Sequence, residues 1–111
     1  MAMKTFKGVV ANPGKYVGRI KKLESMDDIE KINEKDILVT KYNSPLFSLA
    51  FMKAAAIISE VGGSLCHLAI VSRELNKPCI LGVENAFEIF KDGMLVELDA
   101  TNNKIIILED G

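Results

Sequence analysis

Several residue types and patterns are missing or scarce in this chain of 111 residues, and each absence excludes a class of protein. No apolar run approaches the roughly 20 residues that a membrane-spanning helix needs, so no transmembrane segment is predicted. The amino terminus has no apolar core followed by a small-residue cleavage site, which a signal peptide would show. The two cysteines, Cys66 and Cys79, are spaced like neither a disulfide framework nor a zinc site. We therefore expect a cytoplasmic protein with reduced thiols.

The chain also lacks an excess of charge of one sign. Lys and Arg together number 14 and Asp and Glu 15, which gives a formal net charge of −1. This balance lacks the basic excess that binds nucleic acid or a membrane surface, and we expect neither as a partner. Apolar residues make up 49% of the chain and charged residues 26%, as in folded proteins. The length suits one compact core, so residues 1–111 are assigned to a single domain.

The order of apolar patterns along the chain predicts an α/β fold. "TFKGVVA" and "YVGRIKKL" resemble two strands around a turn at Asn12–Gly14, while "DILVTKY", "AAIISEV" and "PCILGV" resemble buried strands. Between them lie two helical patterns, "NSPLFSLAFMKA" with Leu46 and Leu49 at helical spacing, and a helix from about Ser64 to Leu75. A hairpin around Thr101–Asn103 ends the chain. We predict a mixed sheet with central parallel strands and hairpins at both ends.

The only histidine, His67, follows the glycine pair Gly62-Gly63 and precedes an apolar helical run. Ser64 is placed to cap this helix by accepting a hydrogen bond from the backbone N–H of residue 66 or 67, which puts His67 at about the third helical position. A helix start favours anions and disfavours a protonated imidazole. A neutral imidazole has a lone pair and can act as a nucleophile. The pattern therefore favours a histidine that attacks phosphorus and carries the phosphoryl group.

Other interpretations of the same residues stay open. A lone histidine near a helix start is more often a capping or surface residue than a catalytic one. A metal site is a poor alternative, because Cys66 and Cys79 are the only other soft ligands, and we expect no metal in this chain. We expect a side chain at Gly63 to obstruct a special backbone conformation or a close approach, and we expect Cys66→Ser to be tolerated.

The stretch "GGSLCHLAIVSRELNKPCILGVENA" resembles the swivelling phosphohistidine domain of the phosphoenolpyruvate-utilising enzymes. That family includes pyruvate phosphate dikinase, phosphoenolpyruvate synthase and enzyme I of the sugar phosphotransferase system. The matching positions are Gly62, Gly63, Cys66, His67, Ala69-Ile70-Val71, Arg73-Glu74, Pro78 and Gly82. Shorter similarities, "ANPGKYVGRI", "DILVTKYNSP" and "NAFEIFKDGMLVELDA", extend the resemblance over most of the chain.

The resemblance implies a β/β/α swivelling domain in which His67 accepts a phosphoryl group on Nε2. It implies transfer between a nucleotide-binding site and a pyruvate or phosphoenolpyruvate site on partner domains or chains. ATP and Mg²⁺ are expected on those partners, and no cofactor is expected on this chain. The residues expected to bind phosphate or support the loop are Gly62, Gly63, Ser64, Cys66 and Arg73.

Three hypotheses therefore remain from the sequence. The chain is a phosphotransfer component, either excised from a larger enzyme or standing alone, and it is inactive without partners. Alternatively it is a non-catalytic regulatory or scaffold module, since Leu65 and Leu68 flank His67 where the family more often has Thr and a small residue. A redox or metal module built on Cys66 and His67 is the third.

Overall fold

The computed structural model describes residues 4–42, 45–63 and 66–110, which form eight strands and three α-helices. The strands are β1 Thr5–Phe6, β2 Val9–Asn12, β3 Lys15–Lys22, β4 Ile37–Thr40, β5 Ala56–Ser59, β6 Cys79–Leu81, β7 Leu95–Asp99 and β8 Lys104–Glu109. The helices are α1 Ser48–Lys53, α2 His67–Glu74 and α3 Ala86–Ile89, with 3₁₀ helices at Met26–Lys31 and Pro45–Phe47. None of the helices described is long and apolar enough to cross a membrane.

The strands form one mixed sheet in the order β1-β8-β7-β3-β4-β5-β6-β2. The central strands β3, β4, β5 and β6 are parallel to one another, and helices connect β4 to β5 and β5 to β6. The outer strand pairs are antiparallel. The predicted α/β class, with parallel strands at the centre of a mixed sheet, is confirmed.

The predicted hairpin at the amino-terminal end is wrong, whereas the carboxyl-terminal one, β7–β8, is confirmed. Strand β2 pairs with β6 and strand β3 pairs with β7 and β4, so the turn between β2 and β3 joins distant parts of the sheet. The amide of Asn12 donates to the carbonyl oxygen of Lys77 at 3.1 Å. A Cβ on Gly14 would lie 2.8 Å from Pro78. These contacts hold the turn against the segment that follows α2.

Each face of the sheet carries its own hydrophobic core. Neighbouring residues of β5 point to opposite faces, so Ile57 packs with Phe51 of α1 and Leu68 of α2, whereas Ile58 packs in the cluster that holds Phe90. Helices α1 and α2 therefore cover one face, and α3 lies on the other. Since α1 and α2 each follow a parallel strand, both begin at the edge where β4 and β5 end.

Only some of the residues at helical spacing in and before α1 reach the core. Leu46 and Leu49 are 72% and 57% exposed, whereas Ala50 and Phe51 are fully buried. The physical reason is length: α1 has six residues and follows a 3₁₀ turn, so a single short stripe reaches the core. Leu46 and Leu49 therefore add to the apolar surface.

Candidate functional site

Helix α2 begins at His67, with Cys66 as the N-cap residue in extended conformation. The backbone N–H of Cys66 donates to the carbonyl oxygen of Gly63 at 3.1 Å, and this turn precedes the helix. His67 is therefore the first helical residue, and the prediction that it is the third is wrong. The predicted cap and phosphate ligand, Ser64, and its neighbour Leu65 lie outside the described residues.

The imidazole of His67 contacts a residue that the sequence analysis missed. Ser48 Oγ lies 2.9 Å from His67 Nε2, within hydrogen-bonding distance, and both side chains are partly buried. In one tautomer the hydroxyl donates to the Nε2 lone pair, and in the other Nε2–H donates to the hydroxyl. Either way, this hydrogen bond occupies the ring nitrogen at which a phosphohistidine would form.

Topology provides the signal that would have identified Ser48. Ser48 is the first residue of α1, which follows β4, and His67 is the first residue of α2, which follows β5. Strands β4 and β5 are parallel neighbours. The helices that follow adjacent parallel strands start at the same edge of the sheet, which brings their first residues together. Helical spacing within each segment contains no such information.

The two glycines before His67 differ in their surroundings. Gly62 has φ = +103°, which side-chain-bearing residues rarely adopt, and a Cβ there would lie 2.9 Å from the sulfur of Cys66. Gly63 lies outside the left-handed region and is exposed, and no atom of the described residues lies within 4 Å of the position that a Cβ would occupy. The expectation that Gly63 is the constrained glycine is wrong, because Gly62 has the special backbone. Gly63 instead leaves open space beside the histidine loop.

The structure brings Gly62, Gly63 and Cys66 together with His67 but leaves Arg73 at the other end of the helix. Arg73 lies in the last turn of α2, six residues or roughly 9 Å along the axis from His67. Its Nε–H donates to the carbonyl oxygen of Ala11 at 3.0 Å, which ties α2 to β2. Of the two roles predicted for Arg73, phosphate binding and support of the histidine loop, this contact favours support, because it holds α2 on the sheet.

The two thiols have different environments. Cys66 is partly exposed at the start of α2, whereas Cys79 is fully buried in β6. Burial raises the pKa of Cys79 to about 12, since a thiolate would lose its hydration there. The Cys79 thiol therefore stays protonated at neutral pH and serves as a small packing group.

Large apolar side chains are exposed around the Ser48–His67 pair. Helices α1 and α2 pack against each other. Leu49, which follows Ser48 on α1, is 57% exposed, and Ile70, one turn after His67 on α2, is 47% exposed. We call Leu49 and Ile70 the apolar rim.

Comparisons with known proteins agree with this geometry. Residues 32–103 match the family described as "PEP-utilising enzyme, mobile domain". A probable phosphoenolpyruvate synthase of Archaeoglobus fulgidus is 45% identical over 93 residues, which are 84% of this chain and 12% of that protein. The phosphoenolpyruvate synthase of Pyrococcus furiosus is 41% identical over 99 residues, 89% of this chain and 12% of that protein.

A solved structure shares the fold. The solution structure of Enzyme I (nEIt) superposes with a TM-score of 0.62 and 23% identity, over 73% of this chain and 34% of that one. The chain thus spans about an eighth of the length of the curated relatives that it matches. The segment matched by the family, residues 32–103, includes the histidine loop, both crossover helices and the parallel strands β4, β5 and β6. This chain belongs to the mobile-domain family of the phosphoenolpyruvate-utilising enzymes.

Proposed function

We propose that the chain is a phosphohistidine carrier that accepts a phosphoryl group on Nε2 of His67. The single observation that carries the proposal is the placement of His67 as the first residue of α2, at the carboxyl edge of the parallel strands, after an exposed glycine loop. Unpaired N–H groups at a helix start stabilise an anion, and Gly63 leaves room for one. Membership of the family supports this assignment.

The transfer itself requires a neutral ring. In the loading step the Nε2 lone pair attacks the phosphorus of the donor, a P–N bond forms, and the donor P–O bond breaks with its electron pair leaving on the donor oxygen. The ring proton stays on Nδ1. In the unloading step an acceptor oxygen attacks phosphorus, and the P–N electron pair returns to Nε2.

Ser48 has to release Nε2 before attack. A lone pair that accepts a hydrogen bond from Ser48 is unavailable to phosphorus, and a protonated Nε2 has none. The ring or the hydroxyl therefore turns away when a donor docks. Once the phosphoryl group is on Nε2, the Ser48 hydroxyl lies within reach of its oxygens and can donate to one of them.

Partner domains or chains supply the remaining chemistry. In this proposal a nucleotide-binding site with ATP and Mg²⁺ lies on one partner, and a pyruvate or phosphoenolpyruvate site on another. The apolar rim beside His67 supports docking, because a water-free contact around the ring would protect the transferring group. The chain itself then shuttles between the two sites.

The test is transfer from phosphoenolpyruvate, with the Pyrococcus furiosus phosphoenolpyruvate synthase as the donor enzyme. Intact-mass measurement should show one added phosphoryl group on the wild-type chain, lost in acid and stable in base, as a phosphoramidate is. His67→Ala should take up none, and the wild-type chain with phosphoenolpyruvate alone should also take up none.

A chimera provides a second measurement. The 99-residue matched segment of the Pyrococcus enzyme is replaced by this chain, and phosphoenolpyruvate synthesis is assayed with and without His67→Ala. Activity that depends on His67 supports the proposal. A folded chain that takes up no phosphoryl group in either format would contradict it and favour the non-catalytic module instead.

A further inference from the structure

Two lysines meet over one aromatic ring outside the histidine site. The ammonium nitrogen of Lys22 lies 4.3 Å from the ring centroid of Phe87, and that of Lys41 lies 4.9 Å from the same centroid. Both distances are within the range of cation–π contacts. We call Lys22 and Lys41 the lysine pair.

The lysine pair lies at the same edge of the sheet as His67. Lys22 is the last residue of β3, and Lys41 directly follows β4, so both mark carboxyl ends of parallel strands. The loop that leads to His67 starts beside them. The backbone N–H of Glu60 donates to the carbonyl oxygen of Thr40 at 2.9 Å, and the carboxylate of Glu60 accepts from the backbone N–H of Phe87 at 3.0 Å.

No carboxylate of the described part of the chain forms an ion pair with either lysine. Two acidic groups whose contacts lie at Lys22 and Phe87 have other partners. Asp92 pairs with Lys21 at 3.7 Å and accepts from the backbone N–H of Lys22, and Glu60 accepts from Phe87. The ring of Phe87 attracts the two charges but is a weak hydrogen-bond acceptor. The ammonium N–H groups therefore remain available to an anion.

We propose that the lysine pair binds an acidic surface of the protein partner that exchanges phosphoryl groups with His67, an inference that rests on the proposed function. The two like charges lie at most about 9 Å apart by geometry, because both are held near one ring. The lysine pair lies on the α3 face and His67 on the α2 face, but both lie at the carboxyl edge of the parallel strands, so a partner that docks across this edge contacts both.

An acidic protein surface fits this site better than a small free anion. Lys41 is exposed and Lys22 is partly exposed, and charges in such open positions hold a single small anion weakly in salt solution. Several carboxylates on a large body are attracted over a longer range, which raises the association rate. The chain as a whole has a net charge of −1, so the lysine pair is a local exception that can orient an approaching acidic partner.

The first experiment measures kcat/KM for phosphorylation of the chain by the Pyrococcus enzyme with phosphoenolpyruvate, at low and high salt. The double variant Lys22→Gln/Lys41→Gln should lose about tenfold at ~20 mM ionic strength and less than about twofold at ~0.5 M, since salt screens exposed charges. The kcat should be unchanged. The matched control is Lys35→Gln/Lys104→Gln, which removes the same charge at the opposite edge, where β4 and β8 begin.

The second experiment requires no phosphotransfer. An octaglutamate peptide is titrated into the chain and backbone amide shifts are followed by NMR. Shifts should cluster at Lys22, Lys41 and Phe87 and disappear in the Lys22→Gln/Lys41→Gln variant. Phe87→Leu keeps an apolar side chain but removes the ring, and it should reduce the shifts at both lysines. Thermal melting checks that each variant is folded.

The outcomes separate this inference from the proposed function. A wild-type chain that is phosphorylated on His67, with equal kcat/KM and equal salt dependence in the Lys22/Lys41 variant, would overturn the inference and leave the carrier role intact. Shifts spread evenly over all lysines in the peptide titration would overturn it too. A wild-type chain that takes up no phosphoryl group but shows clustered shifts would contradict the carrier role while retaining an acidic-protein site.

Discussion

Replacing Gly62 by alanine is the sharpest test of how the histidine loop is built. The backbone of Gly62 has φ = +103°, and an added Cβ would lie 2.9 Å from the sulfur of Cys66. Nonbonded heavy atoms prefer separations of roughly 3.5–4.0 Å, so the loop has to move. Because Cys66 is the N-cap residue of α2, any movement reaches the ring of His67 directly.

The magnitude follows from two opposing effects. A residue with a side chain in a sparsely populated backbone region costs about 1–3 kcal/mol. The reduced entropy of the unfolded chain in a Gly-to-Ala change offsets roughly 0.4–1 kcal/mol. We therefore expect Gly62→Ala to lower the free energy of unfolding by about 1–2 kcal/mol, or about 4 °C in Tm for each kcal/mol in a domain of this size.

Gly63→Ala is the matched control, because a Cβ there would have no neighbour within 4 Å among the residues that the structure describes, and the φ angle is not left-handed. We expect it to be neutral or stabilising by up to about 1 kcal/mol. Urea unfolding followed by far-UV circular dichroism gives both values, since the chain has no tryptophan for fluorescence.

A double variant separates the effect of the Gly62 backbone angle from that of the steric contact with the Cys66 sulfur. Gly62→Ala/Cys66→Ala removes the sulfur but leaves the backbone angle, so it should recover only part of the lost stability. In the phosphoryl-transfer assay, Gly62→Ala should also slow loading of His67 while Gly63→Ala does not. If the two glycine variants unfold within about 0.5 kcal/mol of each other, the argument from φ and the Cys66 contact is wrong.

Three further predictions concern other groups. Ser48→Ala should shift the tautomer balance of the His67 ring, measured by its ¹⁵N NMR shifts, and change the rate of phosphoryl loading by up to about tenfold. Ser48→Thr keeps a hydroxyl and should restore the wild-type pattern, whereas unchanged ring shifts in Ser48→Ala would show that the contact is incidental. Iodoacetamide at pH 8 should alkylate only Cys66 in the native protein and should alkylate Cys79 only in urea, because burial raises the pKa of Cys79 to about 12. Two adducts under native conditions would contradict the burial of Cys79. The side-chain amide of Asn102 lowers the pKa of Asp99 below 3.8, so the stability from this contact is complete above pH 3.8 and is lost as the pH falls through the lowered pKa. Asn102→Ala should therefore reduce the acid-induced fall in Tm, and an unchanged dependence of Tm on pH would refute this prediction.

The parts of this fold that the sequence predicted are those encoded locally. Short β-branched runs separated by helical patterns predicted the parallel centre of the sheet, and the apolar run after Gly62-Gly63 predicted the helix that contains His67. The carboxyl-terminal hairpin was predicted because its two strands are joined by a short turn.

The failures share a physical cause, which is pairing between distant segments. The turn at Asn12–Gly14 has the composition of a hairpin, yet β2 gains its partner from β6, about 70 residues away. Leu46 and Leu49 have helical spacing, but spacing within a short helix does not say which stripe meets the core. In both cases tertiary contacts decided between locally equivalent arrangements.

The same reasoning explains why the partner of His67 was missed and what it means for this site. Ser48 and His67 are 19 residues apart and belong to helices of two successive crossovers, so their contact exists only when β4 and β5 pair in the observed register. A one-residue slip between those strands would move the start of α1 along the strand axis by roughly 3.3 Å and break the 2.9 Å contact. The hydrogen bonding of His67 Nε2 therefore depends on the pairing of the central strands as well as on the residues adjacent to His67. A chain can match the glycine–histidine motif and still lack this hydroxyl, and in such a chain Nε2 would be free of the hydrogen bond that occupies it here.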